Sequence, residues 1–114
     1  MGYLRNFSGQ CLLRFEDDRI KEFSGMIKYK IDGNRLTDFS GRILYVFDGN
    51  YIRNFSGRNL LVVSTDQVRD ISGRIIAKFD SNYIRDFSGS IQYKLDGFFS
   101  KRELMALFAL LYAV

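Results

Sequence analysis

A sixteen-residue phrase recurs through most of this chain, and it restricts the possible fold more strongly than any other feature. The glycines of six Ser-Gly pairs are spaced by sixteen residues throughout; they are Gly9, Gly25, Gly41, Gly57, Gly73 and Gly89. A second turn column recurs between them, at pairs such as Asp32-Gly33 and Asp48-Gly49. An unbroken period is typical of a repeat architecture in which every copy forms the same supersecondary unit.

Each copy contains two short segments bounded by turn residues, a length that suits strands and is too short for helices. An Asp-Gly pair between alternating apolar residues predicts a two-residue hairpin loop, which would place Tyr45 opposite Ile52. The segment DFSG beginning at Asp38 fits a type I turn, with a two-residue Ser-Gly loop as the alternative. Gly41 and Gly57 are expected to have positive φ.

Alternation along the second strand of each copy predicts three buried columns. The columns are Cys11/Ile27/Ile43/Asn59/Ile75/Ile91, Leu13/Tyr29/Tyr45/Leu61/Ala77/Tyr93 and Phe15/Ile31/Phe47/Val63/Phe79/Leu95. The middle copies also carry apolar residues on the nominally exposed face, among them Leu44, Leu60 and Ile76. A contiguous apolar patch of this kind must be covered by another element.

The residue before each Ser-Gly pair is Phe in five copies and Ile71 in the sixth. Its position breaks the strand alternation, so we expect the ring to leave the ladder and fold over the turn as a plug. Phe39, Phe55 and Phe87 are therefore predicted to be largely buried, and Phe55→Ala is predicted to cost about 3 kcal/mol.

The tail predicts one helix over residues 100–114. Ser100 and Glu103 form a capping box, and the following segment LMALFALLYAV is apolar nearly all round. It is shorter than the roughly 20 residues that span a bilayer. One side is expected to pack over the apolar patch and the remainder to meet a second copy, with a dimer favoured. The predicted interface residues are Leu104, Leu107, Phe108, Leu111 and Tyr112.

These patterns predict an all-β single domain over residues 1–114. Residues 1–97 form six 16-residue β-hairpin repeats in an antiparallel meander that is curled or closed about a pseudo-symmetry axis, followed by one C-terminal α-helix. A closed ring, paired sheets and an extended single-layer ribbon all remain open.

The phrases YIRDFSGSIQYKLDG and RLTDFSGRILYVFDG resemble the bacterial 4-fold beta flower domain, and the similarity covers roughly Tyr3 to Gly97. The resemblance implies hairpins arranged like petals about an axis, in proteins of unknown function, and it carries no catalytic residues. This chain departs from the family in having six copies and a very apolar terminal helix.

Residues suited to catalysis or metal binding are scarce. The chain has no histidine and one cysteine, Cys11, which stands in a column of isoleucines and is expected to be a small core residue. The repeated serines have no accompanying base. We therefore expect no enzyme activity, no catalytic residue, no cofactor and no metal site. The N-terminus does not resemble a signal peptide, so the default expectation is a cytoplasmic location, with export possible if the chain is a truncated piece.

A repeated cation column is the candidate ligand site. The column holds Arg5, Lys21, Arg53, Arg69 and Arg85, with Tyr51 and Tyr83 two residues away, in a chain of net charge +4. Cations interleaved with aromatics suit an anionic polymer such as nucleic acid or polysaccharide. The alternative is that the arginine stems only shield apolar surface. Two functions are thus predicted: first a self-associating structural or interaction module, using the apolar patch and the helix, and second a polyanion-binding module.

Overall fold

The structure is a computed structural model that describes residues 1–113. Within them the chain forms twelve short strands and one helix. They are β1 Gly2–Asn6, β2 Cys11–Glu16, β3 Arg19–Glu22, β4 Ile27–Asp32, β5 Arg35–Asp38, β6 Ile43–Asp48, β7 Tyr51–Asn54, β8 Asn59–Val63, β9 Gln67–Asp70, β10 Ile75–Phe79, β11 Tyr83–Asp86, β12 Ile91–Gly97 and α1 Lys101–Tyr112.

The strands form a closed antiparallel barrel. Each strand pairs with its neighbours in sequence, and β1 closes the ring by pairing with β12, Leu4 opposite Leu95. The structure thus confirms the all-β hairpin meander with a C-terminal helix, and it selects the closed ring from the alternatives. The molecule is a flat disc, with extents of 37 × 33 × 20 Å.

Successive turns of a meander alternate between the two ends of the barrel. The six turns with Ser-Gly pairs therefore lie together at one end, here called the Ser-Gly rim. The Asp-Gly turns and their equivalents lie at the other end, here called the Asp-Gly rim. The sixteen-residue period thus gives the two faces of the disc different chemistry.

The Asp-Gly turn differs by one residue from its prediction. The loop residues are Gly49 and Asn50, so Tyr45 lies opposite Asn54, and Ile52 lies opposite Phe47. The predicted pairing of Tyr45 with Ile52 is wrong. Gly49 has φ 60°, which matches the positive φ that a type II′ loop needs at its first central residue.

The Ser-Gly turn is a type I turn followed by a glycine, as the sequence predicts. The Gly41 N–H donates to the Asp38 carbonyl at 3.1 Å, and the Asp38 N–H donates to the Arg42 carbonyl at 2.9 Å. Gly41 and Gly57 have φ of 96° and 92°, which confirms the predicted positive values. A three-residue hairpin loop of this kind places its glycine in the left-handed region.

A bulge follows each Ser-Gly turn and reverses part of the predicted pattern. Ile43 pairs with Thr37 and Tyr45 with Leu36, which leaves Leu44 as the extra residue between them. The column that begins with Cys11 is therefore not buried as predicted: five of its members are half-buried, and the sixth, Ile91, is 39% exposed. Leu60 and Ile76 of the bulged column, predicted to face outward, pack against the core instead.

The helix lies inside the barrel. Five consecutive residues, Met105–Ala109, are at most 2% exposed. Because successive helical residues point about 100° apart, five of them cover every side of the helix, and only surrounding strands can bury them all. The core consists of this helix, the Leu4/Ile20/Leu36/Ile52/Val68/Ile84 column and the column that begins with Phe15, together with Leu61 and Ala77 from the column that begins with Leu13.

This placement removes two residues from the predicted oligomer interface. Leu107 and Phe108 are fully buried by their own chain and are not accessible to a second copy. Leu104, Leu111 and Tyr112 are half-buried. The barrel encloses the middle of the helix, whereas Leu104, Leu111 and Tyr112 lie nearer its ends and stay predicted interface residues.

The helix enters the barrel from the Asp-Gly rim. The predicted capping box is present: the Glu103 N–H donates to Ser100 Oγ at 3.2 Å, and the Ser100 N–H donates to Glu103 Oε1 at 2.9 Å. Arg102 donates to the Gly33 carbonyl at 3.3 Å, which ties the first helical turn to that rim. The helix therefore runs toward the Ser-Gly rim; Val114, the last residue of its predicted range, lies outside the described residues.

Candidate functional site

Six large apolar side chains at the tips of the Ser-Gly turns are exposed, and they form a ring here called the crown. The crown and its exposed fractions are Phe7 70%, Phe23 76%, Phe39 67%, Phe55 76%, Ile71 61% and Phe87 69%. The prediction that these rings plug the turns is wrong. Each lies at the first central position of a tight turn, beyond the end of both strands, where no neighbouring element covers it.

Hydrogen bonds inside the turn close it without any contact from the crown residue. Asp38 Oδ1 accepts from the Ser40 N–H at 3.0 Å, the Ser40 hydroxyl at 2.7 Å and the Arg42 N–H at 3.0 Å. The same three bonds recur in four other copies, centred on Asn6, Asn54, Asp70 and Asp86. The turn is therefore closed through polar contacts, and no packing of the Phe ring is needed.

The carboxylates of these turns stay ionised. The serine hydroxyl bonded to each of them is the largest cause that lowers the pKa of Asp38, Asp70 and Asp86, since it stabilises the charged form. Asn6 and Asn54 make the same contacts without a charge. The geometry of the turn thus needs an acceptor oxygen and does not depend on its charge.

Three arginines follow the Ser-Gly glycines on this rim: Arg42, Arg58 and Arg74. They are exposed, and no carboxylate within residues 1–113 lies within 4.0 Å of their guanidinium groups. They immediately precede strands β6, β8 and β10, so they occupy one side of the rim. The crown is therefore flanked on this side by cations that are free to pair with an external anion.

A cavity opens on the same rim between the helix end and the barrel wall. Its volume is about 950 Å³, and its lining is mainly apolar, with Tyr29, Leu44, Tyr45, Leu60 and Leu110 among the residues that contact it. Gly41 and Phe55 of the turns reach its edge. The apolar surface of the crown thus continues inward to the helix.

The raised pKa of Tyr112 shows that the end of the helix lies in a water-poor environment. Burial, followed by the proximity of Tyr93 and Asp86, raises the pKa of the Tyr112 phenol to about 12. A phenolate is disfavoured where water is scarce and negative charge is near. The end of the helix therefore presents a neutral phenol close to the Ser-Gly rim.

The predicted cation column lies elsewhere, on the outer wall, and most of it is neutralised. Four of its members form ion pairs: Arg5 with Asp96 at 3.5 Å, Lys21 with Glu16 at 3.7 Å, Arg53 with Asp48 at 2.9 Å and Arg85 with Asp80 at 3.2 Å. Arg69 instead donates to the Gln67 side chain at 2.7 Å. Arg85 lies 5.1 Å from the ring centre of Tyr83, and Tyr51 is exposed. These contacts reduce the positive field that a polyanion would meet.

The part of the chain that the structure describes contains neither a metal-binding cluster nor a membrane-spanning helix. No three His, Cys, Asp or Glu side chains among residues 1–113 come close enough to hold a metal ion. No helix in that range is long and apolar enough to cross a bilayer. No family model, curated protein or solved structure matches the chain, so the resemblance to the beta flower domain stays a prediction.

Proposed function

We propose that this chain is a non-enzymatic interaction module that binds its partner through the crown. One observation carries the proposal: six large apolar side chains at equivalent repeat positions are all exposed on one face of the disc. Met26, on the same rim, is 67% exposed as well. A concentration of exposed large apolar side chains on one face is typical of a binding site.

The crown has enough apolar area to hold a partner. Removing a large apolar side chain from water contributes roughly 1.5–3 kcal/mol, and six such residues can act together. The rings are presented by hydrogen-bonded turns on a closed barrel, so little conformational freedom is lost when they bind. Both terms favour binding through this face.

The crown replaces the helix as the binding surface of the first predicted function. We place the apolar interaction surface on the turns because the middle of α1 is buried by its own barrel. The polyanion-binding function stays a prediction, and the ion pairs on the outer wall do not favour it.

A matched pair of substitutions tests the proposal. Phe87→Ser and Phe98→Ser remove rings of nearly equal exposure, 69% and 70%, from opposite rims. Retention on a phenyl-substituted resin should fall clearly for Phe87→Ser and much less for Phe98→Ser, and a triple variant of Phe39, Phe55 and Phe87 should be barely retained. Equal losses for the two single variants would mean that the crown is no more adhesive than the rest of the surface, and the proposal would fail.

A further inference from the structure

We infer that the partner of the crown is the surface of a lipid membrane, on which the disc lies with its Ser-Gly rim facing the bilayer. This inference rests on the proposed function and names the partner of the same site. It describes binding at the interface by exposed side chains, without a spanning segment.

The shape of the molecule favours a planar partner. The disc measures 37 × 33 Å across its face and 20 Å through its thickness. Because the crown residues occupy equivalent positions of a repeat that closes into a ring, they lie around the whole of one rim. A flat surface can contact all six at once, whereas a small ligand or a single peptide strand would reach only a few.

The cavity beside the helix favours a fluid partner over a second copy of the chain. Two discs joined face to face would keep a cavity of about 950 Å³ on each side of the interface. Protein interfaces are packed about as densely as protein interiors, and unfilled apolar space forfeits contact energy. Acyl chains and headgroups can fill such a space because they adapt to its shape.

The turns that carry the crown tolerate a water-poor environment. In five copies one Asp or Asn oxygen accepts from two backbone N–H groups and a serine hydroxyl, and the glycine N–H is paired inside the turn. Backbone groups left unpaired in lipid cost several kcal/mol each. The tips of this rim therefore enter the interfacial region with most of their donors already paired.

The charges around the crown fit lipid headgroups. Arg42, Arg58 and Arg74 have no carboxylate within 4.0 Å among residues 1–113, and each follows a crown residue by three positions on the same rim. Cations placed just behind inserted apolar residues can pair with lipid phosphates. The carboxylates of this rim are engaged: three bond their own turns and one pairs with Lys28; they are Asp38, Asp70, Asp86 and Glu22.

Co-sedimentation with vesicles tests the inference on the full chain. The probes are vesicles of phosphatidylcholine alone and of phosphatidylcholine with phosphatidylglycerol. The crown variant carries serine at Phe39, Phe55 and Phe87, and Phe98→Ser is its control at the opposite rim. We expect the wild type to bind both kinds of vesicle, the crown variant to partition at least about tenfold more weakly, and the control to change less than about twofold. A variant with glutamine at Arg42, Arg58 and Arg74 should lose only the added affinity for phosphatidylglycerol.

A fluorescent reporter gives a second measurement that does not require several crown residues to be replaced at once. The chain contains no Trp, so Phe55→Trp introduces a unique fluorophore into the crown and Phe98→Trp introduces one at the opposite rim. Vesicles should shift the emission of Phe55→Trp to the blue and leave that of Phe98→Trp unchanged. Equal shifts, or none at Phe55→Trp, would overturn the predicted orientation.

The outcomes separate this inference from the proposed function. In one outcome the wild type does not bind either kind of vesicle but sediments as a dimer, and the crown variant sediments as a monomer. The partner is then a second copy of the chain, so the lipid inference fails while the proposed function stands. If the crown variant binds vesicles as well as the wild type does, the lipid inference fails. If, in addition, the crown variant is retained on the phenyl resin like the wild type, both fail.

Discussion

Two Phe→Ala substitutions should differ sharply in their effect on stability. Phe108 is fully buried, and its ring centre lies 4.7 Å from that of Phe79 and 6.4 Å from that of Tyr112. Phe55 is 76% exposed at the tip of a turn. The same chemical change therefore removes a packed ring in one case and a solvated ring in the other.

The magnitudes follow from burial. Truncating a packed Phe typically costs about 3–5 kcal/mol, and the cost rises where the site cannot collapse. The strands around Phe108 belong to a closed hydrogen-bonded ring, which resists collapse, so we expect about 4 kcal/mol for Phe108→Ala. Phe55→Ala should change the free energy of unfolding by less than about 0.5 kcal/mol, as most surface substitutions do.

Urea denaturation followed by circular dichroism measures both changes. The midpoint should fall strongly for Phe108→Ala and stay near that of the wild type for Phe55→Ala, with similar slopes. A loss of about 3 kcal/mol for Phe55→Ala would mean that the ring is packed in the fold, as the plug hypothesis predicts, and is not an exposed member of the crown. A loss below about 1 kcal/mol for Phe108→Ala would mean that the helix does not fill the barrel.

Three further predictions concern the turns and the helix cap. Gly57→Ala should cost about 1 kcal/mol in urea denaturation, because φ is 92° while no atom lies within 4 Å of the added Cβ; a loss above about 3 kcal/mol would reveal a clash. The pKa values of Asp38, Asp70 and Asp86 are lowered from 3.8, so their stabilisation is present above that pH and is lost as pH falls through the lowered values. A variant with Asn at Asp38, Asp70 and Asp86 should lose less stability than the wild type as the pH is lowered. If the two proteins lose the same stability in acid, this prediction is wrong. Ser100→Ala should cost about 1 kcal/mol and speed amide exchange at Glu103, whereas unchanged exchange would mean that the cap contributes little.

The repeat determines the local structure, and those predictions are confirmed. Sixteen-residue spacing, short apolar segments and turn residues give hairpins in every copy, and the glycines of the Ser-Gly turns have positive φ. The capping box at Ser100 places the start of the helix correctly. These features depend on residues a few positions apart, which is the range over which a single sequence is informative.

The bulge shows why side-chain orientation was only partly predictable. One extra residue moves the rest of a strand to the opposite face. Leu44 therefore lines the cavity beside Leu110, although simple alternation assigns it to the exterior. A bulge of this kind depends on the type of turn that precedes it, and the sequence left two turn types open.

The candidate site was missed because apolar residues do not reveal which way they point. A Phe in a turn is compatible with a plug and with an exposed ring. The two cases differ in whether another element reaches the tip of the turn, and none covers the crown residues in this barrel. The ion pairs of the outer-wall cations could have been predicted from the spacing of charged residues in the sequence. Asp48 stands five residues before Arg53, across one short turn, and the two form an ion pair at 2.9 Å.

The width of the barrel links the buried helix to the exposed crown. About eight strands give an interior that their own side chains can fill, so a ring of twelve needs an additional element, and a helix that is apolar on every side meets that need. Near the Ser-Gly rim the filling is incomplete, and a cavity of about 950 Å³ remains beside Leu110. Six large apolar side chains lie at this same rim, at turn positions beyond the strand ends, and they are exposed to solvent and do not fill that space. Because they add little to the core from there, we expect the crown to serve the proposed binding of a partner and to contribute little to stability.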